Sequence, residues 1–301
     1  MTEKIKLTFL GTSGSIPSAN RNHTSILINY QDENILVDCG EGTQRQFRKA
    51  KANLMKLTKL LITHWHGDHI LGIPGLLQTL AFSNYKKILF VYGPEGTKNF
   101  FKNMLNTFIF SGKIEMKIEE IKKGKFFENE SFYLEVKRVY HGIPCNAYNF
   151  IKKGKIRIDK EKLKKFNIVE GPYLIDLKKG KNIIYNGKKY NFKNLTYKEK
   201  DKKISFVLDT QFNKSIINFV KNSDLLVCES SFSSANKDFA KNYKHMTSEQ
   251  AAEIAKKAKV GKLVLTHISQ RYDKNPKIIL EEAKKIFDNT FVVRDLDSFE
   301  V

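Results

Sequence analysis

Cysteine is scarce in this chain: Cys39, Cys145 and Cys228 are the only three in 301 residues, and none belongs to a Cys-x-x-Cys pair. An odd, widely spaced set argues against a disulfide-built scaffold and predicts reduced, buried thiols in a cytoplasmic protein. No apolar run approaches the roughly 18 residues needed to span a bilayer. The opening Met1-Thr2-Glu3-Lys4-Ile5 lacks the apolar stretch of a signal peptide. No repeat of solenoid period is present. Acidic residues are few beside basic ones, 32 against 53, leaving a net charge of +21. Such a field attracts polyanions, and nucleic acid is the commonest of these in a cytoplasm. The excess is uneven: residues 151–203 hold 18 Lys or Arg and six Asp or Glu, +12 of the +21. That stretch lacks the long amphipathic face a membrane surface would require. With 41% hydrophobic residues the chain can bury one large core, so a single domain over 1–301, or a domain carrying an insertion, is expected.

Against these absences stands one dense stretch, Thr63-His64-Trp65-His66-Gly67-Asp68-His69. The apolar Leu60-Leu61-Ile62 before it reads as a buried strand, and Gly72-Ile73-Pro74-Gly75 opens a helix through Leu80. Three imidazoles and a carboxylate therefore leave a strand end in one tight loop, and that donor set suits zinc. One ion cannot easily take four side chains from so short a loop, but two neighbouring ions can divide them.

The rest of the chain repeats the pattern of strands that end in His or Asp, with helices between them. Strands are expected over 5–10, 25–29, 34–38, 88–92, 132–140, 147–151, 203–208, 225–228, 262–266 and 290–294, and strand-like character begins at Lys113. Helices are expected over 44–50, 97–105, 247–259 and 278–287, the third from the capping-box-like Thr247-Ser248-Glu249-Gln250. The turn Gly11-Thr12-Ser13-Gly14 suggests a backbone that approaches something closely. An α/β sandwich of two mixed sheets covered by helices would gather His64, His66, Asp68, His69, His141, Asp209 and His267 along one edge. With Asp209 bridging, these seven side chains offer four contacts to each of two ions. Five of the seven histidines lie in this set, His245 stands before a helix, and only His23 is left for a structural or exposed role. Two metals that share a water can activate it and clamp the attacking and leaving oxygens of a phosphodiester; the basic surface points to a nucleic-acid substrate.

His64-x-His66-x-Asp68-His69, followed by His141, Asp209 and His267, resembles the metallo-β-lactamase superfamily. Within it the chain resembles the ribonuclease Z family, endonucleases that remove 3′ trailers from precursor tRNA. The carrying residues span nearly the whole chain: Pro17-Ser18-Ala19-Asn20-Arg21-Asn22, Leu71-Gly72-Ile73-Pro74-Gly75-Leu76, His245-Met246-Thr247, Leu265 to Tyr272, and the basic insertion with Gly171-Pro172. The resemblance implies an αββα sandwich with an inserted arm over 152–197, an exosite gripping tRNA away from the cut. It implies two Zn2+ per subunit, one held by His64, His66, His141 and Asp209, the other by Asp68, His69, Asp209 and His267. It gives Asp68 the task of orienting the attacking hydroxide and taking its proton, and His245 that of stabilising the scissile phosphate or protonating the departing 3′ oxygen. Cleavage would fall 3′ of the discriminator nucleotide, leaving a 3′-OH on the tRNA and a 5′-phosphate on the trailer. It further implies a homodimer in which each arm serves the other subunit's site.

Lysines of the arm would give phosphate contacts that position RNA without reading sequence, with Gly171 and Pro172 as candidate substrate contacts. Arg21 could touch RNA backbone near the site or form a structural salt bridge. One departure from the family pattern is Leu208, where a small Ser-Gly pair often precedes the bridging aspartate; it could narrow the approach or shift the backbone. Two other readings compete. A hydrolase of small substrates in the same superfamily would have no use for the +12 insertion. A tRNA-binding protein without catalysis would be expected to have lost a ligand, and all seven are present.

Overall fold

Runs such as Leu7 to Leu10 and Ile26 to Ile28 are buried on both faces, which is why these strands read as continuous apolar segments rather than alternating ones. The computed structural model describes residues 4–110 and 114–301. Met1 to Glu3, which open the segment read for a leader, and Lys113, where the strand-like run was expected to begin, lie outside the described residues. The chain divides into two compact units, the first Met1–Phe127, Leu134–Phe150 and Lys203–Val301, the second Glu128–Tyr133 and Ile151–Lys202.

In chain order come β1 (Lys6–Gly11), β2 (Ser25–Tyr30), β3 (Glu33–Val37), α1 (Thr43–Lys49) and β4 (Leu57–Leu61). Then follow α2 (Gly67–Ile70), α3 (Ile73–Phe82), β5 (Leu89–Gly93), α4 (Thr97–Thr107) and β6 (Met116–Glu120). Strands β7 (Lys123–Glu128), β8 (Phe132–Tyr140) and β9 (Pro144–Lys152) precede β10 (Ile156–Ile158), α5 (Lys160–Lys165), α6 (Leu174–Lys178), β11 (Ile183–Tyr185), β12 (Lys188–Tyr190), α7 (Phe192–Leu195) and β13 (Thr196–Lys198). The chain then runs through β14 (Lys202–Val207), α8 (Lys214–Phe219), β15 (Leu225–Glu229), α9 (Lys237–Tyr243) and α10 (Ser248–Ala258). It closes with β16 (Leu263–Thr266), α11 (Lys277–Lys284), β17 (Thr290–Val292) and β18 (Ser298–Glu300).

Two mixed seven-stranded sheets result, ordered β18-β1-β2-β3-β4-β5-β6 and β17-β16-β15-β14-β9-β8-β7. One hydrophobic cluster joins the first sheet to α1, α3 and α4 through Phe47, Leu76, Leu80 and Phe101; another joins the second to α8, α10 and α11 through Ile216, Ile254 and Ile279. Tyr148 of β9 donates to Ile62 O at 2.6 Å, and Phe150 meets Tyr30 edge-on at 5.6 Å, tying the sheets together. This is the expected α/β architecture of two mixed sheets flanked by helices. The parallel runs matter most for the site: β3 to β6 are parallel, as are β14 to β17. Their C-terminal ends therefore lie on one edge of each sheet, where α/β proteins place ligands. The β1 turn does approach another segment closely, since a Cβ on Gly11 would sit 1.7 Å from His23 O.

The second unit has a small core of its own, Leu163, Ile168, Leu174, Leu177, Ile183 and Leu195. Strands β10 and β13 pair antiparallel, as do β11 and β12. The β11–β12 turn is Asn186-Gly187 at φ 48° and 75°, the mirror-image geometry a two-residue hairpin favours. Asp159 caps α5 by accepting from Lys162 N. The basic segment 152–197 is thus folded, and the unit that contains it extends to Glu128–Tyr133 and Lys202.

Candidate metal centre

Each functional side chain leaves a strand end or the turn after it. Asp38 follows β3, His64 and His66 follow β4, His141 follows β8, Asp209 lies two residues past β14, and His267 directly follows β16. Asp68 and His69 occupy the one-turn helix α2, rather than the irregular loop expected, so consecutive residues can serve one cluster. Asp38 and His267 adopt φ of 58° and 57°, a left-handed backbone that non-glycine residues seldom take and that recurs at functional sites. Between His64 and His66, Trp65 turns away, packs on Phe100 and Phe101 and donates to Thr97 Oγ1 at 2.9 Å, which pins the loop.

Two four-donor groups share Asp209: His64, His66, His141 with Asp209, and Asp68, His69, His267 with Asp209. In the first, His66 Nδ1 lies 3.1 Å from His64 Nε2 and 3.2 Å from His141 Nε2, and Asp209 Oδ2 lies 3.6 and 3.5 Å from those same Nε2 atoms. In the second, His69 Nε2 and His267 Nε2 are 3.3 Å apart, each is 3.3 Å from Asp68 Oδ2, and Asp209 Oδ1 is 3.4 and 3.1 Å from them. Donors about 2.0–2.1 Å from a tetrahedral ion are about 3.3–3.4 Å from each other, so both groups have the spacing of a first coordination sphere. Asp209 Oδ1 is buried without a hydrogen-bond partner, a polar atom left for a cation. The residues fit a pair of metal ions. Leu208 is fully buried, and Asp209 still reaches both groups.

The other nitrogen of most ligand rings is held by a hydrogen bond, which fixes the tautomer. Asp38, fully buried, accepts from His69 Nδ1 at 2.6 Å and from Thr63 N and Oγ1 at 2.7 Å each; Thr63 Oγ1 in turn meets His64 Nδ1 at 3.0 Å. Glu229 mirrors this on the second sheet. Its carboxylate contacts His245 Nδ1 at 2.9 Å, takes Ser231 Oγ at 2.7 Å and Thr210 N at 2.6 Å, and Ser231 Oγ meets His267 Nδ1 at 2.8 Å. His141 Nδ1 donates to Lys244 O at 3.0 Å. Each buried carboxylate therefore orients one histidine directly and a second through a hydroxyl. Glu229, His245 and His267 also come close as a group, but the carboxylate is engaged by these three donors and acts on the rings from behind.

Electrostatics agree with a cation site. Burial pushes His64 and His66 below their ordinary value, His64 strongly, so both are neutral and able to ligate. Burial opposes charge on His69 too, but Asp209, Asp38 and Asp68 overcome it and raise the ring well above 6.5: without metal, this place holds a proton. Burial works against ionising Asp68, yet His69 and His267 hold it well below the usual carboxylate range. For His245, burial is outweighed by Glu229 and Asp209, and its pKa rises to about 9.

The seven residues expected as ligands and His245 are thus brought together, with His66 exposed and His245 partly so. Of the two readings of Arg21, the structure shows the salt bridge. Arg21 is 4% exposed, its Nε lies 3.2 Å from Asp273, and its Nη1 donates to Thr12 Oγ1 and Val293 O. His23 is buried and belongs to neither donor group. Gly171 and Pro172 precede α6 in the second unit, with Pro172 exposed. Asp38, Thr63, Glu229 and Ser231 escaped the sequence reading. Their signal was position alone: Asp38 and Glu229 end strands as the ligands do.

Comparison with known proteins follows the same line. The family model described as Anti-Pycsar protein Apyc1 matches residues 5–159, short of Asp209, His245 and His267. Ribonuclease Z of Methanosarcina acetivorans is 36% identical over 299 residues, covering 99% of this chain and 98% of its own. That of Listeria monocytogenes is 38% identical, covering 99% of each. Among solved structures, human tRNase Z, short form, superposes with a TM-score of 0.71 at 25% identity over 98% of both chains. The metallo-β-lactamase fold protein YhfI of Bacillus subtilis, at 21% identity and a TM-score of 0.73, shares the fold. Full-length identity of this order, over a chain whose two metal-ligand clusters share one aspartate, places the protein in the ribonuclease Z family.

Proposed function

We propose that the protein is a zinc-dependent endoribonuclease that cuts precursor tRNA 3′ of the discriminator nucleotide, leaving a 3′-OH on the tRNA and a 5′-phosphate on the trailer. The observation that carries this is Asp209, shared between two complete donor groups in a chain that matches ribonuclease Z end to end. Two Zn2+ per subunit, held as the two groups divide, would supply an activated water and offset charge on the phosphodiester. Asp68, ionised and fixed between His69 and His267, is placed to orient the attacking water and accept its proton. His245, kept protonated by Glu229 at Nδ1, directs Nε2–H toward the substrate, where it stabilises the scissile phosphate or protonates the departing 3′ oxygen. The folded basic unit around 152–197 serves as the tRNA exosite through exposed lysines. Family resemblance further implies a homodimer whose arms serve each other's sites; sedimentation showing only monomer would refute that. Three buried free thiols suit a cytoplasmic place, and no described helix is long and apolar enough to cross a membrane.

The test is cleavage of a precursor tRNA bearing a 3′ trailer, with Asp68→Ala as control. A single cut after the discriminator base, leaving a 3′-OH and absent in the variant, is expected. The second reading, a small-substrate phosphodiesterase, predicts turnover of small phosphodiesters with the precursor left intact.

A further inference from the structure

Beside the two clusters lies a cavity of about 500 Å3 lined by Gly14, Phe232, Tyr243, His245, His267 and Arg271, within the size range of small-ligand sites. His267 is buried and forms its floor, while Tyr243 is 61% exposed and Arg271 is exposed at its mouth. Gly14 keeps the far side open: a Cβ there would come within 3.1 Å of His267 Cε1.

The lining rings Phe232 and Tyr243 belong to an ordered aromatic group with Phe239, which packs beside them outside the lining. Phe239 and Tyr243 stand one turn apart on α9, their rings 2° from parallel, and Phe232 lies within 17° of both, with all three centroid separations 6.4 Å. Phe239 and Tyr243 leave 46% and 61% of their surface in water. Arg271 sets its guanidinium carbon 5.2 Å from the centroids of Phe232 and Phe239, and it makes no ion pair among the described residues. A guanidinium anchored on ring faces keeps its N–H edge for a phosphate, and an exposed ring beside it offers a π-face. A flat base and an anion joined by a short linker describe a nucleotide.

We propose that this cavity holds the unpaired nucleotide next to the scissile phosphate, its base stacked on Tyr243 and its own phosphate paired with Arg271. The inference rests on the RNA-cleavage reading above and names a subsite for it. Stacking tolerates every base because every base has a π-face, so the subsite positions the strand without selecting sequence.

The experiment compares kcat/KM for an intact precursor tRNA with precursors carrying a single abasic nucleotide immediately 5′ or immediately 3′ of the cut. The wild type should prefer the intact substrate by roughly 5- to 100-fold over one of the two abasic forms, which also tells which nucleotide occupies the cavity. Tyr243→Ala should collapse that preference to near unity, and Tyr243→Phe, which retains the ring, should keep it. A wild type indifferent to both abasic positions, or a preference that survives Tyr243→Ala, would overturn the subsite while leaving the endonuclease reading intact. A wild type that cuts no precursor at all would overturn both.

Discussion

Asp38 is the residue whose loss tests the metal centre most sharply, because it acts on both clusters, on His69 directly and on His64 through Thr63, without belonging to either. In Asp38→Asn one carboxylate oxygen becomes an NH2 group. The native Oδ1 accepts from Thr63 N, while Oδ2 accepts from His69 Nδ1 and Thr63 Oγ1. The amide can satisfy only one side. If its oxygen stays toward Thr63 N, its NH2 faces two donors; if it turns, the NH2 faces the Thr63 amide. Either way His69 and Thr63 are not both satisfied. In the first arrangement His69 is released to the tautomer that protonates Nε2, the atom aimed at Asp209 and His267, and Thr63 no longer fixes His64. Removing such a partner typically costs about 10- to 100-fold in metal affinity, and here the loss should reach one histidine in each cluster. Glu229→Gln should reach only the His267 cluster, through Ser231. Dialysis against graded chelator followed by elemental analysis reads the outcome. Asp38→Asn should release both ions at chelator concentrations where the wild type keeps both, and Glu229→Gln should release one. An Asp38→Asn protein that retains both ions as the wild type does would show that His69 and His64 are oriented by packing alone.

Other consequences follow from the same geometry. His245→Ala should leave both ions bound and slow precursor cleavage, by about 100-fold or more if the ring serves as general acid; metal content and single-turnover rates check this. In the metal-free chain His245, raised from 6.5 to about 9 against burial by Glu229 and Asp209 together, should tie on the order of 3 kcal/mol of stability to its protonation, with Glu229 supplying part of it. A raised histidine stabilises fully below its unfolded value and loses that contribution as pH rises through the folded one. The melting-temperature gap between wild type and Glu229→Gln should therefore narrow between about pH 6.5 and 9, and a gap constant across that window would contradict the pairing. Exchanging the exposed Lys164, Lys165, Lys178 and Lys179 for Gln should weaken tRNA binding and flatten its salt dependence, by roughly one unit of log–log slope for each phosphate no longer neutralised. Burial pushes the Cys39 thiol up to about 12 and those of Cys145 and Cys228 well above 9, so a thiol reagent at pH 8 should find none in the native chain and three after unfolding.

What could be read from residues alone was set by where chemistry repeats. Ligand types cluster at strand ends, and apolar runs mark those ends, so His64, His66, Asp68, His69, His141, Asp209 and His267 can be gathered from the sequence. Asp38 and Glu229 end strands in the same manner, yet a lone buried carboxylate has no sequence mark that separates an orienting group from a capping or solvated one. Its task exists only once β3 and β15 run parallel to the strands that deliver His64 and His267, bringing Asp38 beside Thr63 and the Glu229–Ser231 pair beside His267. Arg21 shows a choice that local pattern leaves open. A basic residue near a predicted RNA site invites a phosphate, and only the burial of its guanidinium against Asp273 shows that the charge is already paired. Phe239 and Tyr243 are harder still, since an aromatic pair one helical turn apart ordinarily signals a core face. Here the face lies outward, stacked with Phe232 and anchored by Arg271 from 28 or more residues away. Long-range pairing therefore decides which charged or aromatic residues remain available for substrate, and local pattern decides which can bind metal.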